Sequence, residues 1–179
     1  MISRVTKQHT KEEVLALLDP LVRRWFDSKF KNLTEPQGYA VPLIHEMKNV
    51  LISSPTGSGK TLTAFLSIIN ELYKLQSSGK LEDKIYCLYV SPLKALANDI
   101  NRNLTQPLDE MKTLAESLGV PPPEIRIAVR SGDTTAQERQ KQARKPPHIY
   151  ITTPESLTII LSTPKFRENL KDVVKYFGK

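Results

Sequence analysis

One short segment has the residue types and spacing of a phosphate-binding loop. Residues 54–61 read SPTGSGKT and follow a short apolar run. The glycines at 57 and 59 let the backbone turn tightly, so that successive N–H groups can point at one anion. An amphipathic run follows, and the N-terminus of the helix that it predicts favours negative charge. The pattern predicts a nucleotide-binding loop, with an ordinary glycine turn between strand and helix as the alternative.

Two side chains at the end of this loop are the predicted catalytic residues. Lys60 can reach the β- and γ-phosphates of a nucleotide, and the hydroxyl of Thr61 can bind Mg²⁺, which makes Thr61 the predicted metal ligand. Upstream, Gln37 can bond adenine at N6 and N7 together, and guanine cannot match that pairing. An ordinary polar surface residue is the alternative for Gln37. The predicted nucleotide-binding set is Gln37, Ser54, Pro55, Thr56, Gly57, Ser58, Gly59, Lys60, Thr61 and Leu62.

The elements that must position these residues alternate along the chain. Short runs rich in β-branched or aromatic residues predict strands at 50–53, 85–90, 125–130 and 148–152. Apolar periodicity predicts helices at 11–30 with a break at Pro20, and at 38–47, 60–76, 93–118, 135–145 and 154–161. Such alternation predicts an α/β fold, with a mostly parallel sheet and helices on both of its faces.

Several helix starts are marked by their capping residues. The segment TAQE, residues 135–138, matches a capping box. Thr153 and Thr163 each precede a proline, which predicts an N-cap followed by proline at the first helical position. On the helix after the phosphate loop, one stripe is polar, and its members are Ser67, Asn70, Glu71 and Lys74.

Composition and charge narrow the class of protein. The formal charge of +7 suits a polyanionic partner, although many soluble domains reach such a charge without one. The one cysteine, Cys87, allows no intrachain disulfide, which fits a reducing interior. The N-terminal segment lacks the apolar core of a signal peptide, and no apolar run is long enough to cross a membrane. We therefore expect a cytoplasmic protein with no membrane partner.

The motifs in their order resemble the first RecA-like motor domain of superfamily 2 helicases of the DEAD/DEAH-box type, most closely the large helicase-related (Lhr) family. FKNLTEPQGYAVP resembles the adenine-reading Q-type motif, and SPTGSGKT resembles motif I with Ser54 at a position that the family often fills with Ala or Gly. YVSPLKALANDI resembles motif Ia, RSGDT resembles the loop after the next strand, and TTPESL resembles motif Ib. The resemblance implies ATP and Mg²⁺ as cofactors, and DNA or RNA as a partner.

The last three motifs follow predicted parallel strands, where ligands bind in open α/β sheets. The resemblance implies that they contact nucleic-acid phosphates, and hence show little sequence preference. The predicted set is Ser91, Pro92, Lys94, Arg130, Ser131, Gly132, Thr152, Thr153, Pro154 and Glu155. The alternatives are an ordinary loop with a solvated lysine at 94, a plain turn at 131–133 and simple helix capping by Thr153. The basic run ERQKQARKPPH fits a solvated helix face best.

One part of the implied motor is missing from the chain. Superfamily 2 helicases hydrolyse ATP with an acidic box, Asp-Glu-x-His or similar, on the Walker B strand, and no acidic pair here has that setting. The resemblance thus implies an incomplete first RecA-like domain at 1–179, truncated before that strand. Residues 1–47 would be N-terminal helices with the Q-type motif, and 48–179 the α/β core. We expect the second RecA-like domain elsewhere in the same polypeptide and little activity from this chain alone; a self-contained small P-loop kinase or NTPase is the alternative.

Overall fold

The computed structural model describes residues 3–91, 94–170, 173 and 175–178. Helices α1 to α4 come first, at Lys11–Leu15, Pro20–Lys29, Glu35–His45 and Lys60–Ser77. Strands and helices then alternate: β1 Cys87–Val90, α5 Lys94–Leu118, β2 Ile127–Arg130, α6 Ala136–Arg144, β3 Ile149–Thr152, α7 Pro154–Ser162, α8 Pro164–Glu168 and β4 Lys175–Gly178. None of the helices in the described part is long and apolar enough to span a bilayer.

The chain forms two compact units. Unit 1 is Met1–Lys74 with Glu110–Pro122, and unit 2 is Leu75–Asp109 with Pro123–Lys179. The phosphate loop belongs to unit 1, and the sheet belongs to unit 2. The long helix α5 contributes residues to both units.

Unit 2 is built on a parallel sheet in the order β2-β3-β1-β4. Each pair is parallel, because helices cross between the strands that follow one another along the chain. The side chains of Leu88 and Tyr150 pack with Ile160 of α7 on one face of the sheet. Cys87 and Ile149, which point to the opposite face, have no exposed surface. Both faces of the central strands are therefore covered, which is the rule for parallel sheets.

The strands differ from the sequence-based expectation at two places. Residues 50–53 form no strand, and Leu51 is 90% exposed. A short apolar run becomes a strand only where a neighbouring strand completes its backbone hydrogen bonds, and the described strands pair only with one another. Conversely, β4 at Lys175–Gly178 was not predicted; β1 stabilises it by parallel pairing.

Unit 1 packs its helices around a buried apolar core. Val22 and Phe26 of α2 are fully buried, and the rings of Phe26 and Phe30 lie 4.8 Å apart. The predicted break at Pro20 is present: α1 ends at Leu15, and the Asp19 side chain accepts the Leu21 N–H at 3.0 Å to cap α2.

The polar stripe of α4 binds the connection between α1 and α2. Asn70 is fully buried; its Oδ1 accepts the Asp19 N–H at 2.6 Å and its Nδ2 donates to the Leu17 carbonyl at 3.3 Å. Lys74 Nζ donates to the same carbonyl at 3.0 Å. The stripe thus satisfies backbone groups that the α1–α2 connection cannot satisfy by itself.

Two of the three predicted caps are present in full. Thr135 forms the capping box with Glu138, and the Thr153 hydroxyl accepts the Ser156 N–H. Thr163 precedes Pro164 as predicted, but its hydroxyl does not cap α8. It donates instead to the Ile159 carbonyl at 3.0 Å, because Thr163 also ends α7, where carbonyls lack intrahelical partners.

Candidate functional site

The phosphate loop turns through two glycines in the left-handed region. Gly57 has φ 81° and Gly59 has φ 85°, values that strain any residue with a Cβ atom. Helix α4 then begins at Lys60, and its first backbone bond runs from Thr63 N to Gly59 O at 2.9 Å. By helix geometry, the N–H groups of residues 60–62 have no intrahelical acceptor. They form the N-terminus of an 18-residue helix, which favours an anion.

Side-chain hydrogen bonds link residues within the phosphate loop. Lys60 Nζ donates to the carbonyl of Ser54 and, at 2.6 Å, to that of Pro55. The hydroxyls of Ser54 and Ser58 lie 2.6 Å apart and share a hydrogen bond. The serine at position 54, where related motifs often carry Ala or Gly, is thus used to link the two sides of the loop. The ammonium group of Lys60 therefore lies next to the backbone carbonyls at the start of the loop.

The segment around Gln37 packs directly against this loop. A Cβ atom at Gly59 would lie 3.0 Å from Thr34 Oγ1 and 3.4 Å from Gln37 Nε2. Gln37 is 2% exposed, and its Oε1 accepts the Thr34 backbone N–H at 2.8 Å, which anchors the start of α3. The structure therefore brings together Gln37 and Gly59, two members of the predicted nucleotide-binding set that are far apart in sequence.

Thr34 is a residue of this site that the motif analysis missed. Its hydroxyl oxygen is buried and has no hydrogen-bond partner among the described residues. The Gln37 backbone N–H goes instead to the Thr34 carbonyl, at 3.0 Å. The pattern Thr-x-x-Gln at 34–37, which is a capping-box sequence, could have identified Thr34 as the residue before α3.

The remaining predicted nucleotide-binding residues lie at the loop surface or its edge. Pro55, Thr56 and Gly57 are exposed, while Thr61 and Leu62 are half-buried in the first turn of α4. Thr61 thus follows Lys60 in the first turn of α4. The described residues include no group of three His, Cys, Asp or Glu side chains that could hold a metal ion by themselves.

The predicted nucleic-acid residues meet at the carboxyl end of the sheet in unit 2. The sheet register places Val90 and Arg130 on either side of Thr152, and the Ser91 N–H donates to the Thr152 carbonyl at 2.9 Å. Lys94 begins α5, although its side chain lies outside the described part of the structure, as does all of Pro92. The other predicted residues are all described.

Most of these side chains are buried. Exposure is 0% for Ser91 and Thr152, 6% for Arg130 and Thr153, and 7% for Ser131. The Thr152 hydroxyl donates to the Arg130 carbonyl at 2.9 Å, so it holds two strand ends together. Gly132, Pro154 and Glu155 are exposed and form the accessible part of this group.

Arginine and glutamate side chains both carry charge at this end of the sheet. Burial lowers the pKa of the Arg130 guanidinium, and the charge of Arg139 lowers that pKa further. At the exposed Glu155, a hydrogen bond from its own backbone N–H and one from Thr153 lower the pKa of the carboxyl group. Glu155 is therefore ionised at neutral pH, beside the capped N-terminus of α7.

Comparison with known proteins identifies a family to which this chain is similar. A protein-family model described as DEAD/DEAH box helicase matches residues 34–177. The ATP-dependent helicase Lhr-Core protein 2 of Thermococcus barophilus is 59% identical over 98% of this chain, and the ATP-dependent helicase Lhr-Core of Methanocaldococcus jannaschii is 54% identical over 96%. Both alignments cover 20% of the relative, so the chain spans about a fifth of the length of these curated proteins.

Solved structures of helicases are also similar to this chain. The structure of Mycobacterium smegmatis helicase Lhr bound to ssDNA and AMP-PNP matches with a TM-score of 0.83 and 42% identity, over 92% of this chain and 20% of that one. The DEAD-box helicase Mss116 bound to ssRNA and UDP-BeF matches at 16% identity and TM-score 0.75, over 99% of this chain and 42% of that one, and so shares the fold. The expected RecA-like α/β fold is confirmed, and a small kinase is not favoured. The chain belongs to the DEAD/DEAH box helicase family.

Proposed function

We propose that residues 1–179 are an incomplete first RecA-like domain of an ATP-dependent nucleic-acid helicase. Residues 1–47 are its N-terminal helices and 48–179 its α/β core. The whole protein couples ATP hydrolysis to strand unwinding or movement, and a second RecA-like domain in the same polypeptide completes the motor. The names and bound ligands of the Lhr relatives support this function.

The observation that carries the proposal is the packing of the Gln37 segment against the phosphate loop. Gly59 leaves room for Thr34 and Gln37. The residue proposed to contact the base and the loop proposed to bind the phosphates therefore belong to one site in unit 1. In that site Gln37 Oε1 has a second lone pair to accept adenine N6–H, and Nε2 can donate to N7. The loop and the α4 N-terminus bind the phosphates.

The residues present fit a Mg²⁺ ion that arrives with the nucleotide. Mg²⁺ in nucleotide sites is held by few protein groups together with substrate phosphates and water. Thr61 supplies a hydroxyl oxygen for it, and Lys60 adds a cation beside the phosphates. When bound, the ion neutralises phosphate charge; Lys60 and Thr61 position the phosphates for transfer.

In unit 2 we place the nucleic-acid contacts at the carboxyl end of the sheet. Gly132 gives close backbone approach, and the N-terminus of α7, after Thr153, offers a second helix terminus to a phosphate. Because such contacts read no base edges, binding is expected to be sequence-tolerant and sensitive to salt.

Calorimetric titration of the chain with ATP–Mg²⁺ and GTP–Mg²⁺ tests the nucleotide site. The unsubstituted protein should prefer ATP by roughly tenfold, since a bidentate base contact is worth about 1–3 kcal/mol. Gln37→Ala should remove the preference while keeping residual binding of both nucleotides, and Lys60→Ala should weaken both. Gln140→Ala, an exposed glutamine on α6, is the matched control and should change nothing. Equal affinity of the unsubstituted chain for ATP and GTP would exclude Gln37 as the base reader.

A further inference from the structure

One guanidinium group bonds two backbone carbonyls of the loop that follows β2. Arg139, on α6, donates from Nε to the Thr134 carbonyl at 2.8 Å and from Nη2 to the Gly132 carbonyl at 3.3 Å. Arg139 is half-buried, whereas Gly132 is exposed. A planar guanidinium with two engaged nitrogens fixes direction as well as distance, and a lysine cannot reproduce that geometry.

The loop is also ordered from within. The Thr134 hydroxyl accepts the Ser131 N–H at 2.9 Å, and the Thr134 N–H donates to the Ser131 carbonyl at 3.2 Å. These bonds close residues 131–134 into one turn but leave the Gly132 carbonyl to be directed by Arg139. Of the contacts described for this loop, those from Arg139 tie it to α6.

The bond to Gly132 sets the direction of a backbone donor. In a trans peptide the C=O and the following N–H point to opposite sides of the same plane. With the Gly132 carbonyl turned toward Arg139, the N–H of the Gly132–Asp133 peptide is turned away from that side chain. Backbone N–H groups of exposed turns are common contacts for nucleic-acid phosphates.

Arg139 also contributes charge at this position. Its charge acts on Arg130 at the end of β2, where two cations share a partly buried environment. Like charges so placed repel, and an anion nearby relieves that repulsion. The carboxylates of Asp133 and Glu155 lie at the same end of the sheet and oppose an anion there, and the two guanidinium charges offset them.

We propose that Arg139 is a positioning residue for nucleic-acid binding: it holds residues 131–134 so that the Asp133 backbone N–H faces away from α6 and can donate to one phosphate. The inference rests on the proposed function of this sheet end. Arg139 acts through the turn and not by contacting the phosphate itself. Because α6 contributes no buried residues, replacing Arg139 should leave the helix intact and disturb only the phosphate contact.

Binding of a fluorescein-labelled oligothymidylate, followed by anisotropy over a series of salt concentrations, tests this role. Arg139→Gln should weaken binding by about tenfold. It should also flatten the log–log salt slope by about 0.7, the value for one phosphate contact on a single strand. Arg139→Lys keeps the charge but loses the two-pronged bond and should recover only part of the affinity. Arg144→Gln, an exposed position on the same helix with the same change of charge, is the matched control and should bind within about twofold of the unsubstituted chain.

Two further measurements separate the possible failures. Thermal unfolding and ATP binding of Arg139→Gln should match those of Arg144→Gln, which shows that any loss of binding is local. Equal affinities and salt slopes for Arg139→Gln and Arg144→Gln would overturn the positioning role alone. Absence of oligonucleotide binding by the unsubstituted chain would overturn the proposed nucleic-acid site, and this inference with it.

Discussion

Gly59 lies so close to Thr34 that a Cβ atom at position 59 would come within 3.0 Å of the Thr34 hydroxyl oxygen. This contact joins the phosphate loop to the start of α3, the helix that carries Gln37. Position 59 therefore requires glycine for two reasons: the backbone has a φ of 85°, and Thr34 leaves little space for a Cβ atom. Of the glycines in the described part of the chain, Gly59 alone has both requirements.

Gly59→Ala should destabilise the protein by about 2–3 kcal/mol, because left-handed backbone strain adds to the crowding against Thr34. Gly79→Ala is the matched control: Gly79 has φ 67°, but nothing lies within 4 Å of its Cβ position. That variant should cost only about 1–2 kcal/mol. Chemical denaturation measures both, and equal losses would show that the contact with Thr34 carries no free energy.

Glu155→Gln should tighten nucleic-acid binding by roughly twofold to fivefold at low salt, and by less as salt rises. The reason is that Glu155 is exposed, ionised and adjacent to the α7 N-terminus where we place a phosphate. Glu124→Gln removes the same charge before the start of β2, at the other end of the sheet, and should have little effect. Unchanged or weaker binding by Glu155→Gln would place the phosphate elsewhere.

Stability should fall as pH drops from about 6.5 to 4, with His148 as one cause. Burial, and then the charge of Arg126, lower the pKa of His148 to about 4, against 6.5 for an ordinary histidine. In that window the unfolded chain binds a proton that the folded chain does not, so the free energy of unfolding rises with pH. The contribution is at most about 3 kcal/mol.

Urea denaturation at a series of pH values tests this assignment. His148→Gln keeps an acceptor for the Arg126 N–H, which the ring Nδ1 accepts at 3.1 Å, but cannot titrate. Its pH dependence between 4 and 6.5 should be flatter than that of the unsubstituted chain. His45→Gln, at a half-buried histidine, serves as the comparison. Parallel pH profiles for the chain with and without His148 would refute the assignment.

The 179-residue chain should hydrolyse ATP only at a background rate, although its phosphate loop is complete. Lys60 and Thr61 can position phosphates, but residues 1–179 contain no Asp-Glu-x-His sequence to orient water, and the arginine finger would come from the second RecA-like domain proposed above. An arginine finger is worth about 10³ to 10⁵ in rate. Phosphate release should be measured beside the same chain extended through a second motor domain. A comparable rate that Lys60→Ala abolishes would show that a catalytic carboxylate lies within these residues.

The sequence predicted the structural features that depend on residues adjacent to one another along the chain. The break at Pro20, the caps at Thr135 and Thr153, and the turn through Gly57 and Gly59 depend on the backbone preferences of a few adjacent residues. The phosphate loop could be predicted for the same reason, and the parallel α/β order could be predicted from the alternation of strand and helix patterns along the chain. Strand 50–53 could not, since a strand needs a partner and a residue's own preferences do not supply one.

Tertiary structure alone decided which side chains of the candidate sites are accessible and what they contact. The hydroxyl of Thr152 has the same chemistry wherever it lies, but its bond to the Arg130 carbonyl makes it a link between strands. Thr34 lies against Gly59, and Arg139 holds the turn after β2, through contacts that no motif spacing records. Such contacts follow from how helices and strands pack, because burial and hydrogen bonding between segments depend on the fold as a whole and not on the order of residues along one segment.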